Sequence, residues 1–334
     1  APRCRVQPRV MDVAARISER LSGRDVLVVG RAGMDIYPVP DGTRIEEAES
    51  LVTDVGGSSG NIAVTLAKQQ AGVRLMAAFS DDGVGRFVDR ALTEYGVDTR
   101  HCHVTTGLER TSLALAESTT EAPNVVIYRN DAADLAITPD HAEAVDMDEI
   151  GAVILTGTAF SREPSRSACG RLVDRARAAG CPVILDIDYR PQAWQSIEEA
   201  RHVLAEMARR VDMPVANDEE FDIVADGAGR NFATELAASG ALVLYKMGEA
   251  GCDILTAGSS IHIGIYRVTA LKPFGSGDAF LGSIMANLGA GADIESAAKR
   301  GAAGAAIAVS RRGCARAMPD AAEIDALMNA TPMT

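Results

Sequence analysis

Lys272-Pro273-Phe274-Gly275-Ser276-Gly277-Asp278-Ala279-Phe280 is the stretch on which the reading of this chain turns. Two glycines flank a small residue just before a helix-forming apolar run. Several backbone N–H groups can therefore converge on one point, where the helix dipole also favours negative charge. Such a turn is an anion cradle. Asp278 stands at its edge, where a bound phosphate would repel it unless the carboxylate has a task such as accepting a proton from an attacking hydroxyl. A plain turn at Gly275 and Gly277, with Asp278 as a helix cap, accounts for the same residues, so the rest of the chain has to decide.

Working outward, short β-branched runs alternate with longer Ala/Leu/Arg stretches, as a parallel sheet covered by helices requires. Strands are expected at Asp25 to Val29, Val73 to Phe79, Ala152 to Leu155, Val183 to Asp186, Met213 to Ala216 and Ala241 to Lys246. Helices are expected at Asn61 to Ala71, Val84 to Tyr95, Ser165 to Ala179, Ile197 to Arg210, Asn231 to Ala238, Asp278 to Leu288 and Ile294 to Val309. Two segments break the alternation. Tyr37 to Asp54 and Thr111 to Asn130 mix polar and apolar residues with turn formers and read as antiparallel strands of a small second sheet. Ligands in open α/β sheets bind outside the carboxyl ends of the strands, and a small sheet there would serve as a lid. The expected organisation is an extension over 1–24 and one α/β domain over 25–334, with lid strands from about 37–54 and 111–130.

Charge narrows the classes of partner. Among 334 residues, 33 Lys+Arg face 46 Asp+Glu, a formal charge of −13. An acidic field repels phosphate backbones and anionic lipid, no basic run offsets it, and no apolar stretch approaches the roughly 20 residues of a membrane span. Neither nucleic acid nor membrane is therefore expected as a partner. Hydrophobic residues make up 47% of the chain, enough for a packed core. Six single cysteines without a Cys-x-x-Cys pair read as reduced, mostly buried thiols, and the expected location is the cytoplasm.

A second glycine segment, Gly56-Gly57-Ser58-Ser59-Gly60-Asn61, opens the first long helix, where glycines let backbone approach a polar ligand closely. Gly-Gly-x-x-x-Asn-x-Ala at 56–63, taken with Gly-Ser-Gly-Asp at 275–278, resembles the paired signatures of the ribokinase-like (PfkB) carbohydrate kinases. The order along the chain matches too, and the resemblance runs from Val26 to about Met328. It implies a ribokinase-like α/β fold with a mostly parallel central sheet, flanking helices and a small β-sheet lid. It also implies a kinase using ATP and Mg²⁺. Val28 to Asp35, Ile127 to Asp131, Gly157-Thr158-Ala159, Asp186 to Pro191 with Trp194-Gln195-Ser196, and Leu271 to Phe274 resemble one branch of the family. Its members phosphorylate the C6 hydroxyl of a keto sugar acid in inositol catabolism.

Chemistry assigns roles in parallel with the resemblance. A sugar acid needs a cation for its carboxylate and short carboxylate or amide side chains for its hydroxyls. Arg129 and Arg190 can supply planar, bidentate recognition, and the resemblance adds Tyr128 as a substrate contact. Asp35 and Asn61 are then the expected sugar-hydroxyl partners, with Gly56 and Gly57 shaping the pocket. For the nucleotide, Lys246-Met247-Gly248-Glu249-Ala250-Gly251 resembles the family's phosphate loop, making Lys246, Gly248 and Gly251 candidates. Lysine is scarce here, occurring at 68, 246, 272 and 299, so Lys246 at a strand end is unlike a solubilising charge. Asn217-Asp218-Glu219-Glu220 resembles the Asn-x-x-Glu motif, so Asn217 and Glu220 are expected to organise Mg²⁺ through water. Asp278 is the expected base, with the N–H groups of Gly275, Ser276 and Gly277 stabilising the moving phosphoryl group.

Three departures from the family pattern matter. Lys272-Pro273-Phe274 stand where many members have Asp-Thr-Thr, which puts in doubt a monovalent-cation site using that Asp. Asp188 replaces the commoner Asn of Asp-x-Asn-x-Arg. Residues 301–306 lack the Asn often found near the adenine. Rival readings are a 2-keto-3-deoxygluconate kinase, a fructokinase or ribokinase, and a sugar-binding regulator without catalysis. A nicotinamide dehydrogenase lacks its Gly-x-Gly-x-x-Gly here, and a P-loop kinase its Gly-Lys-Ser/Thr. A homodimer through the lid is expected, since open small sheets expose edges and apolar faces.

Overall fold

A computed structural model of the chain describes residues 13–334; of the extension expected over 1–24, residues 1–12 lie outside the described part. Among the described residues, fourteen strands form three sheets. In chain order they are β1 (Asp25–Val29), β2 (Gly33–Val39), β3 (Ser50–Gly56), β4 (Val73–Met76), β5 (Ala78–Ser80), β6 (His103–Thr105), β7 (Leu113–Ala116), β8 (Val125–Tyr128), β9 (Ile150–Thr156), β10 (Val183–Asp186), β11 (Met213–Asn217), β12 (Val243–Lys246), β13 (Cys252–Thr256) and β14 (Ser259–Ile263). The main sheet has the order β14-β13-β12-β11-β10-β9-β1-β4. It is parallel from β4 through β12 and antiparallel at the β13–β14 hairpin.

Buried on both faces, the parallel strands send alternate side chains into two cores. Val26, Val28 and Ile154 meet one set of helices, including Ser58–Lys68, Ser276–Gly289 and Ile294–Val309. Leu27, Val29, Val153 and Leu155 meet the other, including Ser165–Ala178 and Ile197–Ala208. Helix Val13–Leu21 also joins the first core through Ala14, Ile17 and Leu21, so the part of the expected extension that is described packs against the α/β body.

The small sheet has the order β3-β2-β7-β8. Its two hairpins are antiparallel, as expected, but they join through a parallel β2–β7 pair. Its strands begin earlier than expected, at Gly33, because the chain leaves β1 and turns straight into the new sheet. Asp35, Tyr37, Asp54 and Ala114 form its buried face, while Met34, Ile36, Leu113 and Leu115 alternate onto the other. Asp54 ties this sheet to the body by accepting from the N–H groups of Cys314 and Arg316, both at 3.1 Å. The strand expected over Val73 to Phe79 is two strands in different sheets, parting at Ala77, because β5 leaves β1 to pair with β6. The β13–β14 hairpin had no sequence-based expectation, although Thr256-Ala257-Gly258-Ser259 between apolar runs is a hairpin signal, with Gly258 at φ +84°.

Candidate active site

Parallel strands in register end together, so Gly30 after β1, Gly157 after β9, Asp186 of β10, Asn217 of β11 and Lys246 of β12 meet along one edge. Two helix N-termini approach the same edge. Helix Ser58–Lys68 begins after Gly57, and helix Ser276–Gly289 begins after Gly275. The left-handed φ of +85° at Gly275 turns the chain so that the following N–H groups face the cleft. This edge is where open α/β sheets bind ligands.

Asp278 sits in the first turn of helix Ser276–Gly289 and accepts a 2.7 Å hydrogen bond from Asn61 Nδ2. Burial pushes its pKa up to about 7; Asp188 and Asp186 push the same way, while Asn61 and Arg190 oppose them. A half-buried carboxyl with a pKa near neutrality has the property a general base needs.

Lys246 Nζ stands 3.6 Å from Asp186 Oδ1, and a Cβ on Gly277 would lie 3.2 Å from that ammonium. Lys246 therefore points at the 275–277 turn. Burial works against its charge, but Asp186, Glu220 and Asp278 outweigh it and raise its pKa. Asp186 Oδ1 is buried without a hydrogen-bond partner. A carboxylate oxygen engaged only by the Lys246 ion pair, beside an anion cradle, fits a hydrated Mg²⁺, which takes one or two carboxylates and keeps waters. Glu220 and Asn217 form a capping box: Asn217 Oδ1 accepts from Glu220 N at 2.7 Å and Glu220 Oε2 from Asn217 N at 2.9 Å. Tyr189 N–H also donates to Glu220 Oε1 at 3.2 Å. Both Glu220 oxygens thus serve the backbone, and among the described residues no cluster of three His, Cys, Asp or Glu could hold a metal. The loop bearing Gly248 and Gly251 follows β12.

On the sugar side, Asp35 is buried on the inner face of the small sheet and accepts from Tyr37 Oη at 2.9 Å. Burial raises its pKa, and Arg31 and Tyr37 oppose the rise. Gly56 is obligatory beside it, because a Cβ there would collide with the Asp35 carboxylate. Asp188 accepts from Ser58 Oγ at 2.8 Å and pairs with Arg190 at 2.7 Å. That pairing comes first among the causes raising the Arg190 pKa.

A cavity of about 160 Å³ lies next to these groups, lined by Arg31, Arg129, Arg162 and Arg190 among others. Arg129 is ion-paired with Asp134 and Arg190 with Asp188. Arg31 and Arg162 are the two that sequence reasoning left without a role. Arg31 is only 9% exposed and its Nη1 has no hydrogen-bond partner, while Arg162 is exposed at the cavity's rim. Unlike Arg129, Tyr128 alternates onto the outer face of the small sheet and is 56% exposed, so the structure does not bring it to this cavity.

A carboxyl with a raised pKa, an anion cradle with a lysine, and a cationic cavity on a doubly wound sheet with a small second sheet suit a phosphotransferase with an alcohol acceptor. Comparison agrees: residues 24–321 match the model described as pfkB family carbohydrate kinase, and the chain belongs to that family. It is 35% identical over 303 residues to the 5-dehydro-2-deoxygluconokinase of Photobacterium profundum, covering 88% of this chain and 92% of that one. To the 5-dehydro-2-deoxygluconokinase of Shouchella clausii it is 33% identical over 310 residues, covering 91% and 95%. Among solved structures, a putative ribokinase II from E. coli in complex with ATP and Mg²⁺ superposes with a TM-score of 0.83 at 20% identity, over 92% of this chain and 99% of that one. The chain is thus a sugar kinase of the PfkB family with the ribokinase-like fold expected from its glycine signatures.

Proposed function

We propose that this kinase transfers the γ-phosphoryl group of ATP to the C6 hydroxyl of 5-dehydro-2-deoxy-D-gluconate, the keto sugar acid of inositol catabolism. The observation that carries the reading is the placement of Asp278 in the first turn after Gly275, held by Asn61 at 2.7 Å, with burial and neighbouring carboxylates raising its pKa to about 7. Its Oδ takes the hydroxyl proton as the new O–P bond forms and the bond from the γ-phosphorus to the β,γ-bridging oxygen breaks, releasing ADP. The N–H groups of Gly275, Ser276 and Gly277 and the Lys246 ammonium receive the charge on the moving phosphoryl group, where positioning and electrostatics carry most of the rate. Mg²⁺, when bound, would neutralise phosphate charge, with Asp186 and, through water, Asn217 and Glu220 as its holders. Gly248 and Gly251 belong to the nucleotide loop on this reading. Closure of the small sheet as a lid excludes water and limits ATP hydrolysis.

The substrate's carboxylate is assigned to Arg129 and Arg190, which line the cavity beside their partners Asp134 and Asp188, and Arg31 and Arg162 on the same wall add positive charge to it. Asp35 and Asn61 are assigned to sugar hydroxyls. Support for the particular acid comes from the names of the relatives above and from this positive charge. A panel of 5-dehydro-2-deoxygluconate, 2-keto-3-deoxygluconate, fructose and ribose tests it. The expected kcat/KM favours the first by at least about tenfold, and Arg31→Met should raise KM for the acids while leaving the neutral sugars nearly unchanged. Equal or better turnover of a neutral sugar by the wild type defeats the substrate assignment.

Two further parts of the reading concern surroundings. The outer face of the small sheet, Met34, Ile36, Leu113 and Leu115 with exposed Leu51 and Tyr128, supports a homodimer through the lid; a monomer in sedimentation at micromolar concentration would remove it. A reducing, ATP-supplied compartment such as the cytoplasm suits the five unpaired cysteines at 102, 169, 181, 252 and 314. No helix among the described residues is long and apolar enough to cross a membrane.

A further inference from the structure

Among the described residues, Lys272 is the most completely buried of the charged side chains, at 0% exposure. Its Nζ donates to the Phe274 carbonyl at 2.7 Å and lies 5.1 Å from the centre of the Phe274 ring. A Cβ on Gly275 would stand 3.4 Å from the same nitrogen. The ammonium therefore sits directly behind the turn whose N–H groups face the cleft. No carboxylate lies within ion-pair distance of it among the described residues. Burial lowers its pKa, and Cys314, Asp278, Asp35 and Asp54 oppose that fall only at longer range. A buried charge without a contacting counter-ion is expensive, so the fold loses stability by keeping one here.

We propose that the Lys272 ammonium is a built-in cation of the phosphoryl-transfer site: it fixes the 272–275 turn through the Phe274 carbonyl and adds positive potential behind the anion cradle. It is a positioning residue, since it touches the turn rather than the substrate. Because the cation is covalently tethered, the enzyme works without any dissolved monovalent ion. This inference rests on the phosphoryl-transfer reading above, and the two fail differently. A wild type inactive on every sugar sinks that reading first, whereas an active wild type with unaffected variants sinks only the role of Lys272.

The test compares wild type with Lys272→Met and Lys272→Gln in buffers whose monovalent cation is choline, potassium or ammonium. Wild-type kcat should agree within about twofold across the three, whereas the variants in choline should lose kcat by roughly 10- to 100-fold with sugar KM nearly unchanged. A thermal melt separates the packing role: removing a buried charge leaves stability equal or higher, so a kcat loss beside an undiminished Tm is electrostatic. Wild-type activity that rises about tenfold with potassium, or a folded variant keeping more than about a third of wild-type kcat in choline, overturns the proposal. Should Lys272→Met fail to fold, Lys272→Gln carries the same readings.

Discussion

Asp278→Asn removes a charge and keeps the shape, so its two consequences are separable. The catalytic one is loss of the base, a drop in kcat of about 10²- to 10⁴-fold with KM for ATP little changed. The second is a gain in stability. Folding raises the Asp278 pKa from the ordinary 3.8 to about 7, a difference equivalent to about 4 kcal/mol. The sign follows from which state holds the proton. Below about pH 4 the carboxyl is protonated both folded and unfolded, and nothing is lost. Between about 4 and 7 the unfolded chain releases its proton while the folded one keeps it, so stability falls as pH rises. Above 7 the folded carboxyl ionises too and the full cost remains. Asparagine never ionises and still accepts from Asn61. The variant should therefore melt about 3–8 °C above wild type at pH 8 and together with it near pH 4. Differential scanning calorimetry at the two pH values, with single-turnover kinetics at pH 8, measures both. A variant that retains more than about a tenth of wild-type kcat refutes the base, and a Tm gain as large at pH 4 as at pH 8 refutes the electrostatic account.

Three further outcomes follow from the same geometry. The rate needs ionised Asp278, so log kcat/KM should fall as pH drops through about 7; Asn61→Ala, which removes the 2.7 Å hydrogen bond favouring the ionised form, should move that limb to higher pH, and an unmoved limb would disconnect the pair. Gly56→Ala places a methyl where the Asp35 carboxylate lies, so sugar KM should rise by at least about tenfold while ATP KM stays put; equal effects on both would mean the pocket shifts as a whole. Arg31→Met should separate acidic from neutral sugars in the substrate panel.

What was legible in the sequence was the part written locally. The parallel strands are continuous apolar runs and the helices carry glycine or capping stops, so β1, β9, β10, β11 and β12 fall within a residue or two of expectation. The glycine pairs at 56–57 and 275–277 locate both helix N-termini, and the motifs they open contain Asn61 and Asp278, which the fold joins by a 2.7 Å contact. What stayed hidden depends on partners far along the chain. Ala77 marks no break in an apolar run, yet the strand changes sheets there, because β6 lies about 25 residues on. Arginine is common in this chain, and nothing local distinguishes Arg31, left without a partner in a cavity, from Arg129, which Asp134 neutralises. Tyr128 and Arg129 are adjacent in one motif, but strand alternation sends them to opposite faces. An acidic first turn suits both a cap and a metal organiser, so the sequence alone does not show that the Glu220 oxygens also accept from the N–H groups of Asn217 and Tyr189.

The charge of −13 poses a problem for any enzyme that binds two anions, and the site answers it by local balance. Asp35, Asp186, Asp188 and Glu220 are buried and Asp278 is half-buried at or around the cleft, against Arg31, Arg162, Arg190, Lys246 and Lys272. Ionising Asp278 adds a negative charge beside Asp188 and Asp186, which already raise its pKa. Bringing a triphosphate to the 275–277 turn would push the Asp278 pKa further up and disable the base at the pH where it must act. A divalent cation bound with the nucleotide cancels that effect, and so does any fixed cation behind the turn. On this argument the Mg²⁺ requirement and the buried Lys272 solve one electrostatic problem: keeping a carboxylate ionised beside the phosphate toward which its substrate's oxygen must move.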